Sequence, residues 1–151
     1  MTDIPPGFHL ADRMDEVTGA FHPLYLSRRD EDGALAIGFH VGPQHCNPRG
    51  HCHGGTWATM ADIIMGMNVG KLTGLSGPTI SLTIDFLGSA AVGQWVEGHA
   101  RVLRATPNLG FADCLFTADG TLALRASATF RRKLPPYRDF EDLLAPEGPR
   151  P

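Results

Sequence analysis

The sequence predicts an α+β fold in which an antiparallel β-sheet wraps around one long central helix. Three features predict it. Residues Thr56 to Leu72 form the only long helical stretch, and its apolar residues do not keep to one narrow stripe. Strand-like segments then follow one another, separated by turns rather than helices. No second strand–helix unit occurs, which argues against a doubly wound parallel sheet.

Pro5, Pro6, Gly7, Gly19 and Pro23 interrupt the beginning, so residues 1–33 read as an irregular segment with room for a short helix near Met14 to Ala20. Asp32-Gly33 marks a turn. Ala34 to Val41 is the first strand, with Leu35, Ile37, Phe39 and Val41 on one face. Gly42-Pro43 ends it, and Gln44 to His53, rich in Pro, Gly, His and Cys, reads as a loop. Gly54-Gly55-Thr56 opens the helix. Trp57, Met60, Ile63, Ile64, Met65, Met67, Val69 and Leu72 make it apolar nearly all round, which is the mark of a buried helix.

Gly70, Gly74 and Gly77-Pro78 close that region. In Thr79 to Leu87, Ile80, Leu82, Ile84 and Phe86 face one way, and Thr79, Ser81, Thr83 and Asp85 the other. Val92-Gly93 turns the chain into a strand from Gln94 to Ala105, which Thr106-Pro107-Asn108 ends. Leu109 to Ala118 and Thr121 to Lys133 then flank Asp119-Gly120, a hairpin signal. The domain therefore spans residues 34–134. The tail, 135–151, holds an amphipathic piece from Phe140 to Leu144 and then Pro- and Gly-rich residues. A helix apolar on every side needs cover all round, and about five strands cover only part of it, so self-association is expected.

The 151 residues suit one domain, and 42% hydrophobic with 19% charged residues marks a globular chain. A net charge of -3 argues against a nucleic-acid binder, which presents a basic face. Three cysteines do not make a disulfide framework. Residues 1–7 carry no basic and apolar signal pattern, and the apolar stretch from Gly54 to Leu72 is broken by Asp62, Asn68 and Lys71. A cytoplasmic protein without a membrane span is expected.

Asp62 stands out as the only acidic residue of the long helix. Carboxylates are rarely buried unless paired or functional. Its alternative is an exposed place on a polar helix edge beside Asn68. A second feature is the Asn47–Gly55 stretch. Glycines at a helix start let a ligand approach backbone N–H groups at the positive end of the helix dipole, a natural oxyanion site. His45, Cys46, His51, Cys52 and His53 invite a metal reading, but their spacing matches no standard zinc motif, and no metal is expected. His45 and His51 otherwise read as loop surface. No nucleophile elbow, Walker A sequence or dinucleotide fingerprint is present.

Asn47, His53-Gly54-Gly55 and Met60-Ala61-Asp62, at these intervals, resemble the signature of the hotdog-fold acyl-CoA thioesterases of the phenylacetate-pathway (PaaI-like) type, within the 4-hydroxybenzoyl-CoA thioesterase superfamily. Met60 replaces the usual Leu. The resemblance continues through Thr79–Leu87, Gly93 and Asp119-Gly120 to Phe130, about residues 34 to 133. It implies a hotdog fold and hydrolysis of an acyl- or arylacyl-CoA to free acid and CoA. Asp62 would be general base or nucleophile, the Gly54 N–H would polarise the carbonyl, Asn47 and His53 would orient it or the water, and Thr79 would sit near the water.

The same resemblance implies CoA contacts from Gly55, Gly88, Ser89, Arg104, Asn108, Leu109 and Arg132. It implies no cofactor beyond the coenzyme A of the substrate. A homodimer or homotetramer would place Asp62 opposite the Asn47–Gly54 loop of a second subunit. The acyl group is unspecified by the motif; Trp57, Met60, Met65 and Met67 are either acyl-pocket or core residues. A hotdog hydratase or dehydratase and a non-catalytic acyl-CoA-binding module stand as alternatives.

Overall fold

A computed structural model describes residues 3–12, 15–135 and 139–145. A single seven-stranded antiparallel sheet lies against one long helix. The strands are β1 (His9–Leu10), β2 (Tyr25–Arg28), β3 (Leu35–His40), β4 (Thr79–Phe86), β5 (Trp95–Ala105), β6 (Leu109–Ala118) and β7 (Thr121–Arg131). Their order across the sheet is β1-β2-β3-β5-β6-β7-β4. The helices are α1 (Glu16–Gly19), α2 (Gly54–Thr73) and α3 (Phe140–Leu143).

The α+β arrangement is the one the pattern predicts, with two differences. The segment before residue 34 is not irregular throughout. Leu24 and Leu26 are buried, and β2 pairs with β3 in the register Leu26↔Ile37. Strands this short are stabilised by the neighbour they pair with, so local sequence gives little sign of them. The helix expected from Met14 is only Glu16–Gly19, started by a capping box between Asp15 and Thr18, and Met14 itself lies outside the described residues. In the tail, α3 occupies Phe140–Leu143; residues 146–151 also lie outside the described ones.

The second difference concerns α2. Its fully buried residues, Trp57, Met60, Ala61, Ile64, Met65, Asn68 and Val69, recur at helical spacing and form one face against the sheet. Ile63 and Met67, with Asp62 and Gly66, lie on the other face and are only half-buried. The apolar residues that broke the stripe therefore belong to a groove rather than to the core. Gly74, at φ 80°, ends the helix in the left-handed conformation that glycine tolerates.

Asn68 is the polar member of the buried face. Its Oδ1 accepts from the Leu35 N–H at 2.8 Å, and its Nδ2 donates to Leu35 O at 3.0 Å and Ile64 O at 2.8 Å. It is no neighbour of Asp62 on a polar edge, because six residues of α-helix turn the two to different faces. Among the described residues, no helix is long and apolar enough to cross a membrane.

Candidate active site

Asp62 sits midway along α2 and opens onto a groove of about 470 Å³. Ile63, Gly66, Met67, Gly70, Pro78 and Phe130 supply its apolar lining. Asp62, Gly66 and Gly70 recur at intervals of four, so the two glycines continue the helix face on which the carboxylate stands. A Cβ at Gly66 would meet Phe130 Cε1 at 3.2 Å, closer than an ordinary contact, so a larger residue there would have to shift the ring that lines the groove. Lys71, Leu143, Asp15 and Thr18 line the groove as well. Of the four residues weighed for an acyl pocket, only Met67 lines the groove; Trp57, Met60 and Met65 are core. The lining glycines and Phe130 escaped the sequence reading, although the four-residue spacing from Asp62 was there to be seen.

Thr79 donates its hydroxyl to Asp62 Oδ1 at 2.6 Å. Strict alternation would have turned Thr79 to the outer sheet face with Ser81, Thr83 and Asp85. The register instead jumps: Thr79 pairs with Phe130 and Ser81 with Thr129, so Ile80 is an extra residue. This bulge rotates Thr79 onto the inner face beside Phe130 and aims it at Asp62.

The Asn47–Gly55 stretch is a tight loop leading into α2. Asn47 Oδ1 accepts from the Arg49 N–H at 2.9 Å and the His51 N–H at 3.3 Å, which commits the amide oxygen to the loop. His53 is the N-cap of α2, and its Nδ1 accepts from the Gly55 N–H at 2.8 Å. A neutral ring in this role carries its proton on Nε2, a donor. Gly55 has therefore given its N–H to the cap, whereas Gly54 belongs to the first turn, whose N–H groups find no partner within the helix.

His45 is not loop surface. It is fully buried, its Nδ1 accepting from the Gly42 N–H at 2.9 Å and its Nε2 lying 2.6 Å from Phe21 O. Thr56 in α2 donates to His45 O at 2.9 Å, so this residue fixes the loop to the helix start. With both ring nitrogens engaged, His45 has none left for a metal. Among the described residues no group of three or more His, Cys, Asp or Glu side chains is placed to hold one.

Burial lowers the His45 pKa below its ordinary 6.5. The folded ring stays neutral where the unfolded ring already binds a proton. Stability from this group is thus complete above about pH 6.5 and is lost as the pH falls from there towards the folded pKa. Thermal melting from about pH 8 to 5 should show a midpoint that falls on acidification, with a shallower fall in His45→Asn. Parallel curves for the two proteins would remove His45 as the cause.

The remaining candidates divide between the two ends of α2, which is about 30 Å long for its 20 residues. Gly88 and Ser89 are exposed just after β4, whose last residue, Phe86, lies against Gly54. Arg104, Asn108 and Leu109 surround the β5–β6 turn, and Gly110 beyond it meets Val69 near the other end. Arg104 is exposed. Arg132 is tied down: Nε and Nη2 donate to Thr73 Oγ1 at 3.0 Å and Thr73 O at 2.7 Å, and Nη1 to Thr106 O. One chain therefore does not bring all these residues together. Nor does it unite Asp62 with the Asn47–Gly54 loop, since eight residues of helix put Gly54 about 12 Å from Asp62 along the axis.

Known proteins resemble this chain, one in sequence and others in fold. A Pseudomonas aeruginosa protein provisionally described as an esterase is 30% identical over 132 residues, covering 86% of this chain and 98% of its own. The crystal structure of zebrafish thioesterase superfamily member 2 superposes with a TM-score of 0.73 at 24% identity, covering 81% of this chain and 89% of that one. A hypothetical thioesterase of Streptococcus pneumoniae, crystallised with coenzyme A, gives 0.71 at 22% identity, covering 78% and 91%. The long helix against an antiparallel sheet is the hotdog fold. The model of the thioesterase superfamily matches residues 49–133, more than half of the sequence, from within the α2 entry loop through β7, and the chain belongs to that superfamily.

Proposed function

We propose that the protein is an acyl-CoA thioesterase that hydrolyses an acyl- or arylacyl-CoA to the free acid and CoA. One observation carries the reading: a half-buried carboxylate, Asp62, held by the Thr79 hydroxyl at 2.6 Å on an apolar groove. A thioester is activated enough that a carboxylate with an oxyanion donor can hydrolyse it without a serine triad. The acyl group would lie along Gly66 and Gly70, between Met67 and Phe130. Asp62 would take the proton of the attacking water, or attack the carbonyl itself. The Gly54 N–H would meet the carbonyl oxygen, with the Asn47 NH2 and the His53 Nε2–H orienting it or the water.

Asp62 and Gly54 of one chain stand too far apart to act on one carbonyl. Two chains packed with their α2 helices antiparallel would set the loop of each against Asp62 of the other, in a homodimer or homotetramer. The unpaired outer edge of β4, with Ile80, Phe86 and Leu87 exposed, favours such an assembly. Across two chains, Gly55, Gly88, Ser89, Arg104, Asn108, Leu109 and Arg132 would flank the CoA moiety. The coenzyme A in the Streptococcus relative supports that choice of substrate. Arg104 is the better phosphate partner, because Arg132 already serves Thr73 and Thr106.

The test is a panel of aryl, short and medium acyl-CoAs assayed by free-thiol release. Thiol release from at least one ester is the expected result. Tight binding without turnover across the panel would make the chain a binding module. Loss of the conjugated absorbance of an enoyl-CoA without thiol release would make it a hydratase.

A further inference from the structure

We propose that Cys46 and Cys52 form a redox-active dithiol, a site of reversible disulfide formation that exchanges with low-molecular-weight disulfides. The two residues face each other in an isolated antiparallel bridge. The His53 N–H donates to His45 O at 2.8 Å, and the Asn47 N–H to His51 O at 2.8 Å. Those two bonds flank the pair rather than join it, so it is a non-hydrogen-bonded pair, in which opposed side chains approach most closely. Its Cα separation is about 4.5 Å. Disulfides span about 4.4–6.8 Å between Cα atoms, so the bond can close with little backbone movement. Both side chains turn the same way: Cys52 is in the core and Cys46 packs against it. Both are free thiols.

The chemistry has an order. Cys46 is the more accessible thiol and donates its S–H to Gly42 O at 3.3 Å. Burial pushes the Cys52 thiol up to about 12, so Cys52 does not begin the reaction. Deprotonated Cys46 Sγ attacks one sulfur of the small disulfide. The S–S bond of the reagent breaks, a mixed disulfide forms on Cys46, and the first small thiol leaves with the proton. Cys52 Sγ then gives up its proton and attacks Cys46 Sγ, releasing the second small thiol. Two protein thiols are oxidised and one small disulfide is reduced to two thiols. The second step, at the buried sulfur, is the slower.

Closure would staple the five-residue loop Asn47 to His51 at its base. Asn47 lies inside the ring so formed and His53 directly after it, so the closed form would fix the segment that presents both. Cys114, buried on β6, provides the comparison, since its partners across the sheet are Ala100 and Ala126.

The experiment treats the intact protein with glutathione disulfide at mildly alkaline pH, blocks remaining thiols and digests with trypsin. Arg49 lies between the two cysteines, so the enzyme separates residues 30–49 from 50–71. Free thiols counted after denaturation should fall from three to one. The two peptides should travel as one disulfide-linked species that dithiothreitol splits, with Cys114 unmodified. In Cys52→Ala, Cys46 should stop at the mixed disulfide with glutathione; in Cys46→Ser, Cys52 should stay reduced. Wild-type protein that remains fully reduced, or that stops at the mixed disulfide, overturns the proposal. So does a linkage through Cys114. None of these outcomes depends on thioester hydrolysis.

Discussion

Asp62→Asn is expected to fold as the wild type does and to lose hydrolysis of a good acyl-CoA substrate by about 10²–10⁴-fold, the usual contribution of a positioned general base. The substitution changes almost nothing but charge and basicity. The Asn Oδ1 can still accept the Thr79 hydroxyl, and the side chain keeps its place on the groove. Melting should therefore be unchanged within about 0.5 kcal/mol, the range of substitutions that disturb no packing. Thr79→Ala removes one hydrogen bond to a charged group and should cost about tenfold, less than loss of the carboxylate itself. The ordering matters more than either value. If Thr79→Ala is as damaging as Asp62→Asn, the hydroxyl has a role beyond holding the carboxylate. If Asp62→Asn retains full activity, the proposed chemistry is wrong, whatever the fold.

Asp62 was legible because a single acidic residue interrupts an otherwise apolar helix, and one-dimensional pattern is enough to see that. The helix and the strands β3 to β7 were legible for the same reason: each carries its own period. Thr79 was assigned its place by motif, but its direction was not readable. Alternation sends it to the outer sheet face, and only the bulge at Ile80 turns it to Asp62. His45 looked like surface because a Gly- and Pro-rich loop usually is. Its burial depends on Gly42 and Phe21, the latter distant in sequence, each supplying one backbone group. β1 and β2 depend in the same way on a partner strand. What stayed hidden is what tertiary contacts decide after the local pattern has been satisfied.

Asn68 belongs to that hidden class, and its replacement should have the largest effect on stability. Arg28 and Leu35 are opposed across β2 and β3, with the Arg29 N–H donating to Ala34 O beside them at 2.8 Å. That pattern points the Leu35 N–H and C=O away from β2. The β3–β5 ladder begins at Ala36↔His99, a non-hydrogen-bonded pair whose flanking bond runs from the Ala100 N–H to Leu35 O, so on that side only the Leu35 N–H lacks a strand partner. The Asn68 carboxamide supplies the acceptor that the Leu35 N–H lacks on β5, adds a second donor to Leu35 O, and ties its other N–H back to Ile64 O. Asn68→Ala would leave the buried Leu35 N–H without a partner, costing about 1–3 kcal/mol, and take one of two donors from Leu35 O, about 0.5–1 kcal/mol, against a gain of about 0.6 kcal/mol in helix propensity. The net expectation is a loss of about 2 kcal/mol, or roughly 4–8 °C in melting midpoint for a chain of this size. Asn68→Asp should be no better. It keeps an acceptor for the Leu35 N–H but sets a carboxylate against two carbonyl oxygens. A loss below about 0.5 kcal/mol for Asn68→Ala would mean that the Leu35 N–H finds another partner, and that α2 is held to β3 by apolar packing alone.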